Sequence, residues 1–255
     1  MKIRVLGACG SEMPGCNLTG FLINDRVLLD AGTASSVLNA KEQSLITDII
    51  LSHAHLDHIR GIPFLIDNIL GNGKPPVNIA AAAQVIETLR GNILNGTVWP
   101  DFSKIPSAKD PGIKYRKLAL NREAQVGGLT VRPIAVCHAI PTTGFIITDG
   151  ESVLVYSGDT KETEALWKAA AKLGKEIKAV FIECSFPDAM AATAERTRHL
   201  TPKKMLGEIE KLGGYEGPVY AYHIKSQYKK EVERDIKSLK RKNFKVAKDG
   251  MVIKL

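Results

Sequence analysis

The apolar positions of the chain fall into short runs that predict β-strands. Eleven runs of three to eight residues, rich in Val, Ile and Leu, are bounded by Gly, Asn, Asp or short polar stretches, as is typical of strands that end in turns. The dipeptides Asn24-Asp25 and Asp149-Gly150 predict hairpin turns. The predicted strands are 2–6, 20–23, 27–29, 49–51, 77–81, 129–136, 144–148, 153–156, 179–182, 219–222 and 251–254.

Helical periodicity marks several stretches between these runs. In 162–173 the apolar residues share one helix face, and the helix is followed by Gly174, which suits a helix C-terminus. Another helix is predicted to begin at Pro202, with Thr201 as its N-cap. Because the strands first follow one another and later alternate with helices, we expect an α/β protein with sheets covered by helices.

No composition break divides the 255 residues, so we predict one domain over 1–255. The regular succession of predicted strands is interrupted between Pro63 and Pro111. We therefore expect a helical and loop insertion near 63–111 that contains a helix over 84–94. Trp99 and Phe102 lie in this insertion. We favour a role for both in packing the insertion to the body; the alternative is that they stack on a base.

Composition also bears on the location of the protein. No run approaches the roughly eighteen apolar residues of a membrane helix, and the N-terminus lacks the charged and apolar regions of a secretory signal. We therefore predict a cytoplasmic protein without a membrane partner. The cysteines at 9, 16, 137 and 184 show no C-x-x-C spacing, so we expect four reduced thiols, mostly in or near the core.

The net charge of +8 is concentrated near the C-terminus. Between Lys225 and Lys248 there are ten Lys or Arg against three acids. Val232, Ile236 and Leu239 have the helical spacing i, i+4 and i+7, which would dock one face of this segment on the body and leave its lysines in water. A solvated helix face is the favoured interpretation, and a nucleic-acid partner stays open.

The motif His53-Ala54-His55-Leu56-Asp57-His58 contains three of the six histidines. Imidazole nitrogens and carboxylate oxygens are the ligands that zinc and similar divalent cations take. If the preceding strand ends near Ser52, His53 and His55 project to the same side. Asp57 and His58 then face a second position, so this loop alone predicts ligands for two metals.

Isolated His and Asp residues follow three later strands. His138 follows the apolar run that ends at Cys137, Asp159 follows 153–156, and His223 follows 219–222. A single such residue is more often structural than functional. Their shared position just beyond a strand, in order behind the dense motif, predicts that they complete the metal site.

These residues resemble the metallo-β-lactamase superfamily, and within it most closely the class II cyclic-nucleotide phosphodiesterases. The resemblance runs from the first strand to His223. It rests on HLDHIRGIP at 55–63, NGTVWPDF at 95–102, SGDT at 157–160, FIECSFPD at 181–188, HLTP at 199–202 and HIK at 223–225. It implies an αββα sandwich, in which two mixed sheets carry helices on their outer faces.

The resemblance also implies two divalent cations, with zinc favoured and manganese or iron left open. One cation would take His53, His55 and His138; the other would take Asp57, His58 and His223; Asp159 would bridge them. A water acidified between the cations would attack phosphorus. The superfamily pattern places Asp30 where a carboxylate fixes the orientation of a ligand histidine.

Further roles are carried over from the related phosphodiesterases. Glu183 and His199 would form a pair in which His199 contacts the phosphate or protonates the leaving oxygen. Asp57 counts as a catalytic residue as well as a ligand. Three loop donors, Asn17, Thr142 and Thr143, are candidates for phosphate contacts.

The resulting prediction is a hydrolase of 3′,5′-cyclic nucleotides, cyclic AMP or cyclic GMP, with the small nucleotide as its partner and a homodimer left open. The nearest alternative resembles the transfer-RNA 3′-end endonucleases, although the chain shows no inserted Gly- and Lys-rich arm. A lactonase or thioesterase on the same site is a second alternative. A non-catalytic binding module is disfavoured by seven intact candidate ligands.

Neutralising four lysines of the basic segment tests whether it binds the substrate. Replacing Lys229, Lys230, Lys237 and Lys240 together by Gln should leave cyclic-nucleotide turnover within a few-fold of the wild type, because a mononucleotide does not span this surface. The salt dependence of KM should also stay shallow, unlike that of a polyanion ligand. Steady-state kinetics over a salt series measure both; a large rise in KM would favour the RNA-processing alternative.

Overall fold

The predicted strands pair into two seven-stranded sheets in the computed structural model, which describes residues 1–71 and 74–255. The strands are β1 (Lys2–Gly7), β2 (Gly20–Ile23), β3 (Val27–Ala31), β4 (Asp48–Leu51), β5 (Val77–Ala81), β6 (Ile113–Lys117), β7 (Ala124–Val126), β8 (Leu129–Ala135), β9 (Thr143–Thr148), β10 (Val153–Tyr156), β11 (Ile177–Glu183), β12 (Val219–Tyr222), β13 (Phe244–Val246) and β14 (Val252–Lys254).

The two sheets repeat one pairing scheme. The first sheet has the order β14-β1-β2-β3-β4-β5-β6, and the second has the order β13-β12-β11-β10-β9-β8-β7. In the first, the pairs are antiparallel as far as β2–β3 and parallel from β3–β4 onward. In the second, the pairs are antiparallel from β7 to β10 and parallel from β10 to β13. Both sheets are therefore mixed, and the chain has two similar halves.

Each sheet buries both faces, because successive side chains of a strand point to opposite sides. In β4, Ile50 faces the space between the sheets, whereas Ile49 and Leu51 face the outer helices. Phe21 of the first sheet packs edge-on against Phe181 of the second, with ring centroids 5.1 Å apart. The apolar core therefore has three layers, one between the sheets and one under the helices of each outer face.

The helices cover the outer faces, which confirms the αββα sandwich. Helices α1, α3, α4 and α5 pack on the first sheet, α2 packs against α4, and α6, α8 and α9 pack on the second sheet. Among the described residues, none of these helices is long and apolar enough to cross a bilayer. They are α1 (Ala34–Val37), α2 (Ala40–Gln43), α3 (Leu56–Ile59), α4 (Gly61–Ile69), α5 (Ala83–Asn92), α6 (Ala165–Ala171), α7 (Ala191–Thr197), α8 (Pro202–Glu210) and α9 (Lys229–Ser238).

All eleven predicted strands are present, with small shifts at their ends. The sequence did not predict β6, β7 and β13, and each of these is the last strand at one edge of its sheet. Their side chains are largely half-buried or exposed. Edge strands are often short and polar, so they lack the apolar run by which inner strands are recognised.

The predicted helices are present, although α6 (Ala165–Ala171) is shorter than the predicted 162–173. Thr201 is the N-cap of α8 and Pro202 its first residue, although the Thr201 side chain makes no capping hydrogen bond. In the basic C-terminal helix α9, Val232 and Ile236 are buried against the second sheet and Leu239 packs against the same core.

The stretch predicted as an insertion near 63–111 belongs partly to the first sheet. It contains β5, which lies between β4 and β6 in that sheet. Only the part after α5 is irregular; there Phe102 is buried in the outer core, and Trp99 packs against that core and edge-on against Phe64 at 4.9 Å. The packing role of the two aromatic residues is therefore confirmed.

The prediction of four reduced cysteines is wrong for two of them. Cys9 and Cys16 form a disulfide with Cα atoms 5.8 Å apart, whereas Cys137 and Cys184 are free. Met13 and Cys16 pair their backbones, which reverses the chain and returns Cys16 to Cys9. A spacing of seven residues is no recognised pairing signature, so only the folded loop reveals the bond.

Replacing Gly32 by Ala tests how closely the loop 53–58 packs on the first sheet. A Cβ at Gly32 would lie 2.0 Å from the carbonyl oxygen of Asp57, a backbone atom with little freedom to move. We expect Gly32→Ala to lower the free energy of unfolding by at least ~1–3 kcal/mol, as overpacking does. Denaturant unfolding measures the change.

Gly91→Ala is the matched control for that substitution. Gly91 lies in α5, and a Cβ there meets no atom within 4 Å. We expect a gain of roughly 0.5–1 kcal/mol from the better helix propensity of Ala. An equal effect of the two substitutions would contradict the close approach at Gly32.

Candidate metal centre

The predicted metal ligands all lie just beyond the carboxyl ends of strands. The motif 53–58 follows β4, His138 follows β8, Asp159 follows β10 and His223 follows β12. Loops from both sheets meet at this edge of the sandwich. The structure thus brings together side chains that are up to 170 positions apart in the sequence.

Three imidazoles form the first ligand set. The Nδ1 atom of His55 lies 3.1 Å from Nε2 of His53 and 3.2 Å from Nε2 of His138. Tetrahedral zinc with Zn–N bonds of about 2.0–2.1 Å would separate its nitrogens by roughly 3.3–3.4 Å. The three nitrogens therefore have nearly the spacing that one bound cation requires.

The second ligand set combines a carboxylate with two imidazoles. Nε2 of His223 lies 3.1 Å from Oδ2 of Asp57, and the potential ligand atoms of Asp57, His58 and His223 all lie within 4.8 Å of one another. His58 and His223 are buried, whereas Asp57 and the His55 of the first set are only half-buried. The centre is therefore open to solvent on the side of His55 and Asp57.

Asp159 stands between the two sets. Its Oδ2 atom lies 3.6 Å from Nε2 of His53 in the first set and 3.1 Å from Nε2 of His223 in the second. Its Oδ1 atom lies 3.4 Å from Nε2 of His58, and both of these buried atoms lack a hydrogen-bond partner within the described chain. Orphaned buried polar atoms are rare, and a cation between them would satisfy both.

Asp30 hydrogen-bonds the ring of His58, at the position where the family resemblance implies a carboxylate that orients a ligand histidine. Its Oδ2 atom accepts hydrogen bonds from Nδ1 of His58 at 2.8 Å, from the Ser52 hydroxyl at 2.7 Å and from the Tyr156 hydroxyl at 2.6 Å. Its Oδ1 atom accepts from the backbone N–H of Ser52 at 2.8 Å. With Nδ1 of His58 donating to a carboxylate, its Nε2 lone pair is free for a metal.

Other ligand rings are oriented by groups that the sequence did not reveal. Nδ1 of His53 donates to the Ser52 hydroxyl at 2.9 Å, and Nδ1 of His223 donates to the Ser185 hydroxyl at 2.9 Å. Nδ1 of His138 donates to the backbone carbonyl of Arg198 at 3.1 Å.

These partners select one tautomer for each ring. In His53, His58, His138 and His223 the Nδ1 atom carries the proton and leaves Nε2 for a cation. His55 presents Nδ1 instead. A serine directly before or near a ligand is a common residue in an ordinary position, so the sequence carried no signal for this role.

The protonation behaviour of the centre also suits a cation. Burial lowers the pKa of His53, His55 and His138, so these rings are neutral and their lone pairs available. Burial opposes a charge on His58, yet the neighbouring carboxylates, Asp159 first among them, raise its pKa well above the usual range. The environment of His58 therefore favours positive charge, which a divalent cation would supply. The donor set fits a pair of such cations.

Glu183 and His199 form the predicted pair, and the His199 ring lies against His138 of the first ligand set as well as His223 of the second. Nδ1 of His199 donates to Oε1 of Glu183 at 2.7 Å, and the Glu183 carboxylate also accepts from the Ser185 hydroxyl and the N–H groups of Thr160 and Leu200. Burial opposes a charge on His199, but Glu183 raises its pKa above the usual value.

The position of His199 connects this pair to the metal centre. Its ring stacks on that of His223 with centroids 5.3 Å apart, and it has a ring nitrogen within 4.8 Å of potential ligand atoms of Asp159 and His223. Because Nδ1 is bound to Glu183, the Nε2 atom is the one free for a substrate.

The three candidate phosphate donors bind backbone carbonyls. The Asn17 amide donates to Leu6, the Thr142 hydroxyl donates to Ile140, and the Thr143 hydroxyl donates to Ser52. Thr143 thereby ties β9 to the residue before His53. Their contacts with a substrate stay predictions.

Comparison with known proteins is consistent with this geometry. A sequence model described as the Beta-lactamase superfamily domain matches residues 25–224, which include every candidate ligand. A probable 3′,5′-cyclic-nucleotide phosphodiesterase of Yersinia pestis is 28% identical over 89% of this chain and 79% of the relative. A ribonuclease Z of Methanosarcina acetivorans is 26% identical over 100% of this chain and 98% of the relative.

The fold recurs in solved structures. The crystal structure of unliganded yeast PDE1 superposes with a TM-score of 0.83 at 17% identity, and the match covers 100% of this chain and 99% of that one. The family resemblance noted in the sequence is thereby confirmed by sequence and by fold. The chain belongs to the β-lactamase superfamily and is one of its metallo-β-lactamase-fold hydrolases.

Proposed function

We propose that this centre hydrolyses phosphodiesters and that its substrates are 3′,5′-cyclic nucleotides. The observation that supports this most is the meeting of two ligand sets at Asp159, with the Glu183–His199 pair beside them. Two cations held there would supply an acidified water and neutralise charge on the phosphoryl oxygens. Zinc is the favoured metal because five of the seven donors are imidazoles.

The protein's own groups position the reacting atoms. Asp30, Ser52 and Ser185 hold the ligand rings in fixed tautomers, so the ligand lone pairs need no rearrangement before the reaction. Asp57 borders the solvent-open side and faces His223. The substrate phosphate is expected to enter from that side, since His53, His58 and Asp159 are closed off within the protein.

His199 is assigned to the leaving oxygen. Hydrolysis of a cyclic phosphodiester breaks one P–O bond, and the departing ribose oxygen needs a proton. Glu183 accepts from Nδ1 of His199 and favours its protonated form, which leaves the Nε2 proton for transfer. This arrangement corresponds to a general acid.

A small nucleotide is favoured over RNA by the rim of the centre. Leu56 lies between the ligands His55 and Asp57 and is 59% exposed, and Phe64, two helical turns further on, is 48% exposed. Because the chain from Leu56 to Ile69 is helical with only Arg60 between α3 and α4, these two side chains lie on one face. Apolar side chains at the edge of the site contact the face of a nucleobase more favourably than they contact a series of charged phosphates. The relative from Yersinia pestis points the same way.

The second candidate function is an RNA-processing phosphodiesterase. It is supported by the near full-length match to the ribonuclease Z of Methanosarcina acetivorans and by the basic residues of α9. A substrate panel separates the two candidates: cyclic AMP, cyclic GMP, 2′,3′-cyclic nucleotides and a short RNA with a transfer-RNA 3′ end. Preferred cleavage of the RNA, by kcat/KM, would overturn our proposal.

Asp159→Ala tests the shared carboxylate. We expect the wild type, replenished with zinc or manganese, to bind about two equivalents, and the variant to lose both cations or nearly all turnover, because Asp159 faces both sets. Elemental analysis and kinetics measure this. Asp67→Ala, at an exposed aspartate of α4, is the control and should retain both cations. A variant at Asp159 with wild-type turnover would refute the bridging role.

His199→Ala tests the general acid. Turnover of a cyclic nucleotide should fall by about 10²–10⁴-fold while the metal content stays at the wild-type value. A nitrophenyl phosphodiester, whose leaving group needs little protonation, should lose far less. Glu183→Gln should show a smaller loss in the same direction.

Arg196→Ala serves as the control for His199→Ala, since Arg196 is an exposed residue of the neighbouring helix α7. Equal losses of His199→Ala on both substrates would indicate phosphate binding in place of proton transfer. Unchanged turnover would leave His199 without a catalytic role.

A further inference from the structure

The disulfide between Cys9 and Cys16 closes a loop that lies against the second ligand set. We call residues 9–16 the disulfide loop. Both cysteines are buried, whereas residues 12–15 between them are exposed. The ends of the loop are held by Asp249, whose carboxylate accepts from the N–H groups of Ala8 and Asn17. The loop is therefore fixed at its base and joined across by the disulfide.

The start of this loop forms the wall behind His223. The N–H of His223 donates to the carbonyl of Ala8 at 2.7 Å, and the N–H of Gly10 donates to the carbonyl of Ile224 at 3.0 Å. Gly10 lies so close to the imidazole that a Cβ there would be 2.6 Å from Nδ1 and Cε1 of His223. Contact between backbone and ring on this side leaves no room for the ring to turn.

His223 depends on such support because its backbone is in the left-handed region, with φ of 62°. A residue with a side chain adopts this conformation only where the surrounding structure enforces it. The hydrogen bond to Ala8 and the contact with Gly10 supply that support from one side. The Ser185 hydroxyl holds the ring from the other.

The tip of the loop reaches the segment that carries the other two ligands of the same set. Glu12 forms an ion pair with Arg60, the residue that directly follows α3 with Asp57 and His58. Ser11 hydrogen-bonds Ser226 at 2.7 Å, just beyond His223. Within the described chain, the hydrogen bonds of this loop to ligand-bearing segments reach Arg60, two residues after His58, and the residues that directly follow His223.

We infer that the Cys9–Cys16 disulfide is a positioning element of the second ligand set, Asp57, His58 and His223. With the disulfide formed, the loop holds Gly10 in contact with His223 and bridges the two segments that carry the second ligand set. A dithiol reductant supplies two electrons and two protons, becomes a disulfide itself and leaves two thiols in the loop. The wall behind His223 then loosens, and the second set binds its cation more weakly while the first set is unaffected.

This inference rests on the two-cation centre of the proposed function, but its first test does not. Titration of free thiols in the unfolded, unreduced protein should find two, Cys137 and Cys184, if the disulfide is formed. Four thiols would overturn the inference. The thiol count is independent of metal content, so it stands even if the centre proves to hold one cation and the binuclear proposal fails.

The second test compares cation retention in the wild type and in the double variant Cys9→Ser/Cys16→Ser. Both are loaded with zinc and dialysed against a chelator series, and the bound zinc is measured by elemental analysis. Losing the support of a ligand weakens metal affinity by about 10–100-fold. We expect one of two equivalents to be released at a correspondingly lower chelator concentration in the variant, and the other to be released as in the wild type.

Reductant provides the matched control. Pretreatment with a dithiol, which is removed anaerobically before the titration because it binds zinc itself, should shift the release curve of the wild type toward that of the double variant. The same pretreatment should leave the double variant unchanged. Equal weakening of both equivalents would show general destabilisation, and identical release curves for the two proteins would show no coupling. Either result would overturn the inference.

Gly10→Ala tests the same wall with the disulfide intact. Its Cβ would displace the His223 ring, so it should also weaken one equivalent selectively, and its thiol count should stay at two. If the double variant does not fold, cation retention in Gly10→Ala provides the test of the inference. Unchanged retention in Gly10→Ala would contradict the proposed wall.

Discussion

The candidate metal centre depends on one buried carboxylate that joins the two sheets. Asp30 lies at the end of β3 in the first sheet and accepts a hydrogen bond from Tyr156 of β10 in the second. The same carboxylate holds Ser52 and His58 in place. An unpaired buried charge would be strongly destabilising, so these four donors are required together. The apposition of the sheets and the orientation of the candidate ligands His53 and His58 thus depend on the same group.

Three of the seven residues other than glycine that have a positive φ in the described chain orient the centre or belong to it. Asp30, Arg198 and His223 all have φ between 54° and 62°, where side chains are disfavoured. Asp30 and Arg198 each fix a ligand imidazole, and His223 is itself a candidate ligand. Each such position costs on the order of 1–3 kcal/mol, which the packed sandwich around it must offset. Rigid sheets are therefore a condition for this ligand geometry.

The sequence predicted the candidate ligands better than the residues and bonds that surround them. Histidine and aspartate just beyond strand ends are scarce and chemically distinctive, so the motif 53–58 and Asp159 could be recognised. Ser52 and Ser185 could not, because serine is common and its role depends on which ring faces it in three dimensions. The edge strand β6 and the Cys9–Cys16 bond were missed for a related reason. Each depends on neighbours that only the fold brings together. The local sequence has no apolar run that marks the strand and no cysteine spacing that marks the disulfide.

The division of the ligands between the two halves of the chain has a consequence for biosynthesis. Asp57 and His223 are 166 positions apart, yet they belong to the same ligand set. Loop closure over such a distance is entropically costly, so this contact forms late in folding. A growing chain exposes the motif 53–58 long before it can surround a cation fully. For the proposed two-cation centre, high-affinity capture of metal would therefore wait until both halves have docked, and the bound cations would then link the two halves.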